Sequence, residues 1–208
     1  MIIASQDRIQ RYTMRERVIH WLSAFAFIYV LLTGLAFYSP NLYWLAMVLG
    51  GGPTSRFWHP WIGLLFMLMC ALMYNMWRGD MRVTAADREW QKAIPHYIRN
   101  EDEQLPPIGR FNIGQKYFFW VMFWGGLLLV LSGLVLWFPE RIPWSLHALR
   151  SFAVLIHVSA ALITIGAFII HIYMGTAVVR GGFTSIIRGE VSRQWARTHH
   201  ALWLRDLK

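Results

Sequence analysis

Four long apolar runs divide the chain, at residues 18–38, 57–77, 117–138 and 151–179. Each reaches the roughly 20 residues that a helix needs to cross the hydrocarbon of a bilayer. The intervals between them are short or polar. Residues 41–50 form a short amphipathic stretch that suits a membrane surface, and Gly50-Gly51-Gly52-Pro53 ends it. Thr54 or Ser55 then caps the second long helix, with Pro60 near its start, where a missing N–H does least damage. Residues 78–112 are polar and mixed in charge, with one surface helix expected over 85–98, and residues 139–143 make a short turn. Residues 180–208 form a basic, polar tail. The pattern predicts an all-α membrane protein, a four-transmembrane-helix bundle forming one membrane domain over 1–208. The first run is too long for a signal-peptide core, and Phe37-Tyr38-Ser39-Pro40 is no cleavage site, so it reads as a retained helix.

Composition sharpens this picture. The chain has 208 residues, is 56% hydrophobic and carries a net charge of +9. Its 12 tryptophans include Trp21, Trp44, Trp58, Trp61, Trp77, Trp120, Trp137 and Trp144 at the ends of the apolar runs. That is where an indole, apolar with one polar N–H, prefers to sit. The positive charge does not indicate nucleic acid, because it lies between and beyond the spans and not on one soluble face. Only Arg56, Arg141 and Arg150 fall on one side of a four-span topology, while every other Lys and Arg falls on the side of the termini and the middle loop. The positive-inside rule therefore places both termini in the cytoplasm of a multi-pass membrane protein. One cysteine, Cys70, can neither form an internal disulfide nor hold an iron–sulfur cluster, and no C-x-x-C-H is present for covalent haem.

The chemistry lies in the histidines. His96, His147, His199 and His200 fall in loops or tail, where a solvated imidazole is the ordinary reading. His20, His59, His157 and His171 fall within the spans, where an ionisable or metal-binding group is a functional candidate by default. His157 and His171 are 14 residues apart, close to four helical turns, so both leave one face about 21 Å apart. Depth pairs His59 with His157 near the outer side and His20 with His171 near the inner side. Two facing imidazoles ligate an iron from both sides of a porphyrin, leaving no open position, so such a haem carries electrons. The four histidines are thus candidate axial ligands of two b haems. Gly34, Gly63, Gly125, Gly126, Gly133 and Gly166 would let flat macrocycles approach helix backbones, or would serve helix packing. Arg56 outside and Arg15 or Arg17 inside are candidate partners for haem propionates.

At this point the chain resembles the cytochrome b (gamma) subunit of membrane-bound respiratory formate dehydrogenases. The likeness rests on Arg17-Val18-Ile19-His20-Trp21, His59-Pro60, Asn112-Ile113-Gly114-Gln115-Lys116, Leu155-Ile156-His157 and His171-Ile172-Tyr173-Met174. It extends to Val191-Ser192-Arg193-Gln194-Trp195-Ala196 and His199-His200 in the tail. The resemblance implies an outer haem b on His59 and His157 and an inner haem b on His20 and His171. It also implies a quinone (menaquinone or ubiquinone) reduced beside the inner haem, at a site lined by Asn112, Gln115 and His171. Its implied partners are an iron–sulfur beta subunit with its own membrane helix and a molybdenum- or tungsten-containing catalytic alpha subunit. A trimer of heterotrimers is the implied assembly. Formate oxidation would belong to the alpha subunit, and this chain to the quinone-reducing end.

Other readings differ in what they require. Similar cytochrome b subunits serve nickel–iron hydrogenases and other oxidoreductases. A histidine-dependent proton or metal transporter would need carboxylates within the spans, and none of the four runs contains Asp or Glu. A passive anchor has no use for four buried imidazoles at matched depths.

Overall fold

A computed structural model describes residues 7–207. Four of its helices are long and apolar enough to cross a membrane. They are α1 (Met14–Tyr38), α3 (Gly52–Trp77), α6 (Ile113–Trp137) and α7 (His147–Tyr173). A short helix α2 (Trp44–Val48) lies between the first two. The middle loop folds as α4 (Ala85–Lys92) and α5 (Ile94–Ile98). Beyond α7, a single π turn, Met174–Val178, leads to α8 (Gly182–Arg188), α9 (Arg193–His199) and α10 (Ala201–Asp206).

The membrane helices start several residues before the apolar runs, and polar caps set the first turns of α1 and α6. Thr13 opens α1: its hydroxyl accepts from the Glu16 N–H at 3.2 Å, and the Glu16 carboxylate accepts from the Thr13 N–H at 2.7 Å. Helix α1 therefore includes a carboxylate that the apolar run excludes. Glu16 is buried, and one carboxylate oxygen accepts from Trp77 Nε1 at 2.6 Å and from Arg110 at 2.7 Å. It is a structural group at the helix start, not part of a relay within the hydrocarbon. Helix α3 begins at Gly52, not at Thr54 or Ser55, after Gly50 and Gly51 turn the chain with φ of 94° and 93°. Those values favour residues without a Cβ. Pro60 consequently falls inside α3, where it removes the hydrogen bond to the carbonyl of Arg56.

The described residues cluster into two compact units. One, residues 19–74 and 121–167, holds most of the four long helices and packs as a four-helix bundle. Its interior includes Phe27 against Phe66 at 5.3 Å between ring centres, with Cys70 buried as packing. A Cβ at Gly125 would lie 2.5 Å from Thr164 Cγ2, so this glycine brings α6 and α7 together. Gly126 similarly faces Phe66 and Met67.

The other unit gathers residues 7–18, 75–120 and 168–207. It contains a feature the hydrophobic pattern does not predict, a two-stranded antiparallel sheet. Strand β1 (Arg8–Gln10) pairs with β2 (Glu190–Ser192), Ile9 opposite Val191. Val191, Ala196 and Trp203 form a small core there. Trp77 also departs from expectation: it is buried against Tyr12, Phe111 and Phe119 rather than placed in an exposed belt. Trp44, Trp58, Trp61 and Trp144 are exposed, as an aromatic belt requires.

Candidate functional site

His59 on α3 and His157 on α7 meet inside the four-helix unit. Their ring centres are 6.4 Å apart and their planes 51° apart. Two imidazoles on opposite sides of one metal, with metal–nitrogen bonds of about 2.0 Å, put their ring centres about 6.3 Å apart. The observed spacing would leave room for one metal ion between the two rings.

The hydrogen bonds around the two rings choose which nitrogen faces the gap. Thr33 on α1 donates its hydroxyl proton to the Tyr29 carbonyl at 2.9 Å, and its oxygen lies 2.7 Å from His59 Nδ1. Because the only hydroxyl proton is engaged, Nδ1–H must donate, leaving the Nε2 lone pair for a metal. The same arrangement recurs on α6. Ser132 donates to the Leu128 carbonyl at 2.6 Å, and its oxygen lies 3.0 Å from His157 Nδ1. Both imidazoles are thus held in the ligating tautomer by a hydroxyl from a neighbouring helix.

The surroundings suit a flat group. Gly34 and Gly133 follow Thr33 and Ser132; a Cβ at Gly133 would crowd His157 Cε1 at 3.3 Å, while one at Gly34 would reach His59 Cε1 at an ordinary contact distance of 3.5 Å. Gly133 thus makes room for the His157 ring. Gly63, one turn beyond His59, has no atom within 4 Å of a would-be Cβ, and Gly166 is likewise open. Ala153 and Ala161 lie one turn either side of His157. Among the described residues, no three His, Cys, Asp or Glu side chains come together. The pair therefore offers two ligands, and a macrocycle would supply the other four. The residues present fit a haem.

His20 and His171 fall in different units. His20 sits near the start of α1, edge-on to Trp21 with ring centres 5.4 Å apart. His171, in the last turn of α7, lies flat on Phe118 of α6, 4.1 Å between ring centres and 3° from parallel. That stacking fixes its ring orientation. Arg17 is engaged elsewhere than at a propionate: it donates to the carbonyls of Ile186 and Ile187 at the end of α8.

Asn112 and Gln115 form a reciprocal cap on α6. The Gln115 N–H donates to Asn112 Oδ1 at 3.0 Å, and the Asn112 N–H donates to Gln115 Oε1 at 3.0 Å. Both carboxamide oxygens serve the helix end; the Asn112 side chain is buried and also hydrogen-bonds the Tyr97 phenol, which leaves the Gln115 NH2 group as the end that can donate outward. Gln115 and Phe118 are three apart and share a face of α6, the face on which Phe118 stacks against His171. Behind Asn112, burial pushes the Tyr97 phenol up to about 12. Next along α6, Lys116 is buried and donates to Asp87 at 2.7 Å.

The loop and tail histidines divide. His147 is exposed and stacks on Trp144, and His96 Nδ1 meets Glu101 at 2.5 Å at the surface. His200 is not solvated: it is 3% exposed. Burial and the neighbouring Arg11 guanidinium hold its pKa well below the usual imidazole value. Thr33, Ser132 and Phe118 are the site residues that the sequence reading misses. The hydroxyl–glycine pairs Thr33-Gly34 and Ser132-Gly133 were the available signal.

Four helices long and apolar enough to cross a membrane, with two imidazoles brought together between them, define a multi-pass helical membrane protein. Residues 11–189 match the family described as prokaryotic cytochrome b561, and the chain belongs to it. The family name denotes b-type haem. The chain is 34% identical over 205 residues to the "Formate dehydrogenase, cytochrome b556(fdo) subunit" of Escherichia coli strain K12, covering 98% of this chain and 95% of that one. It is 29% identical to the nitrate-inducible cytochrome b556(Fdn) subunit of the same strain, covering 99% and 94%. A cytochrome b556 subunit of formate dehydrogenase from Haemophilus influenzae is 28% identical, covering 98% and 85%. The likeness carried by the loop and tail motifs thus extends over nearly the whole chain.

Proposed function

We propose that this chain is the di-haem b membrane subunit of a formate dehydrogenase complex. It carries electrons from a periplasmic iron–sulfur subunit to a quinone near the cytoplasmic side. The observation that carries the reading is the His59–His157 pair, 6.4 Å apart between ring centres, each Nδ1 held by a hydroxyl. A haem held there would supply one-electron redox chemistry. Within this reading His59 and His157 hold the outer group and His20 and His171 the inner one. The stacking of His171 on Phe118 orients a ring for that role.

In this reading Asn112 and Gln115 line the quinone site beside His171, with the Gln115 NH2 group as donor to a quinone carbonyl and Asn112 holding the helix end next to it. The grouping of residues 7–18, 75–120 and 168–207 in one unit supports a shared side for both termini and the middle loop, and their basic residues argue that this side is cytoplasmic. The names of the relatives support a formate dehydrogenase as the complex; the partners in this reading are an iron–sulfur beta subunit and a molybdenum- or tungsten-containing alpha subunit.

A pyridine haemochrome assay on the purified chain tests the core of this reading, with two b haems per polypeptide expected. His59→Ala and His157→Ala should each leave one haem and stop quinone reduction, as should His20→Ala and His171→Ala. Two haems retained in either outer variant would show that pairing to be wrong. Formate added to membranes that contain the complex should reduce the haems. Failure there, with two haems present, would leave the cytochrome in place and change its donor.

A further inference from the structure

The loop leading into Asn112 is gripped through three consecutive carbonyls. The Leu202 N–H donates to the Ile108 carbonyl at 3.0 Å. His200 Nδ1–H donates to the Gly109 carbonyl at 2.7 Å. Arg11 donates to the Arg110 carbonyl at 3.0 Å. Two of these donors come from the tail and one from the segment after β1, far from the loop in sequence.

The grip is closed on itself. With His200 Nδ1 donating to Gly109, its Nε2 is the acceptor for the Arg11 guanidinium, 2.9 Å away. Arg110 answers by donating to the Arg11 carbonyl at 2.8 Å. Arg11 is 2% exposed, and its guanidinium lies over Trp195 and Trp203 of the tail, 4.9 and 5.3 Å from the ring centres. Burying a cation is costly unless its donors and charge are met; here Nη2 meets a neutral imidazole and a carbonyl and aromatic faces lie against the guanidinium, while Nε and Nη1 are buried without a hydrogen-bond partner. Asn112 follows this loop by two residues and caps α6.

We propose that Arg11 and His200 are positioning residues of the quinone site. They fix the 108–110 backbone and thereby the placement of the Asn112 amide, so that the C-terminal tail is part of that site. The inference rests on the quinone reading of Asn112. A fold that needed only a cap for α6 already has one in the Asn112–Gln115 pair. The tail contacts act one step upstream, on where that cap stands. A displacement on the order of 1 Å costs up to about 100-fold in a positioned reaction, so a partly loosened clamp should cost about tenfold.

The test uses membranes holding the assembled complex, with the haems pre-reduced by a stoichiometric amount of dithionite. Haem reoxidation is then followed as the tailless naphthoquinone menadione is added. Asn112→Ala is the reference for the site. His200→Phe removes both ring hydrogen bonds while keeping an aromatic ring, and Arg11→Lys keeps the charge and one donor. The proposal expects His200→Phe to raise the menadione concentration for half-maximal reoxidation about tenfold at unchanged haem content, with a smaller rise for Arg11→Lys. If Asn112→Ala impairs reoxidation and His200→Phe and Arg11→Lys do not, the positioning role is overturned and the quinone reading stands. If Asn112→Ala itself has no effect, the quinone reading falls and takes this inference with it. If His200→Phe loses haem, Arg11→Lys carries the test. Haem loss in both would show that these contacts hold the fold and not the site, which also overturns the proposal.

Discussion

A hydroxyl within a membrane helix ordinarily turns back to the carbonyl four residues earlier, which satisfies it locally. Thr33 and Ser132 do this, and each oxygen then takes a second hydrogen bond from a histidine on another helix. Holding Nδ1–H both fixes the ring and raises the basicity of Nε2. Thr33→Val keeps the shape and removes the acceptor, and Ser132→Ala does the same on the opposite side. Each should weaken retention of the outer haem by about tenfold on dilution or detergent challenge, within the range for such outer partners. Each should also raise that haem's midpoint potential, because a less basic ligand stabilises the oxidised iron less. Potentiometric titration reads the shift, and unchanged potential and retention in both variants would remove the hydroxyls from the site. The histidines were legible in the sequence because imidazole in an apolar run is rare and functional. The hydroxyls were not, since a threonine or serine satisfied by its own helix costs little, and only the rotation of neighbouring helices shows which ones reach across.

At the scale of elements, the apolar runs located the four long helices but not their starts. Polarity marks where hydrocarbon ends, whereas Thr13, Gly51 and Asn112 mark where the backbone can begin a helix. The tail was harder to read. Strand β2 is three residues long, and α9 and α10 are seven and six, too short for periodicity to be seen. Their order depends on contacts with Arg11 and the 108–110 loop, which are remote in sequence. This gives the tail a pH dependence whose sign is fixed. Docked His200 has its pKa lowered by burial first and then by Arg11, while a detached tail titrates it near 6.5. As pH falls below about 6.5 the detached form binds a proton that the docked form refuses. Docking then weakens by about 1.4 kcal/mol per pH unit until the docked imidazole also titrates. The groups facing His200 are Arg11, a constant charge, and His199, whose own pKa is lowered by burial and which lies 3.9 Å from Asp102. Burial of His199 adds to the same trend. Limited proteolysis of the tail should therefore be faster at pH 5.5 than at pH 7.5, and His200→Phe should remove most of that difference. Equal rates in the unmodified protein would show that His200 does not control docking.

Across the whole molecule, the spacing of His157 and His171 on one continuous helix sets the electrical consequence of the proposed function. Fourteen residues of α7 span about 21 Å, some two-thirds of a hydrocarbon core of about 30 Å. An electron that enters near His157 and leaves near His171 crosses that fraction of the membrane field. It does electrical work of about 1.6 kcal/mol for each 100 mV of potential. If quinone is reduced beside Asn112 and Gln115 and takes its protons from the cytoplasm, the positive charge of those protons is lost from the same compartment that gains the electrons. Sealed, right-side-out vesicles containing the complex and a quinone pool should then develop a potential, negative inside, when formate is added outside. A voltage-sensitive dye reads it, and a protonophore should collapse it without slowing quinol formation. Quinone reduction at full rate with no potential would mean that electrons and protons reach the quinone from one side, and that the inner pair and the Asn112–Gln115 site are not where the reaction ends.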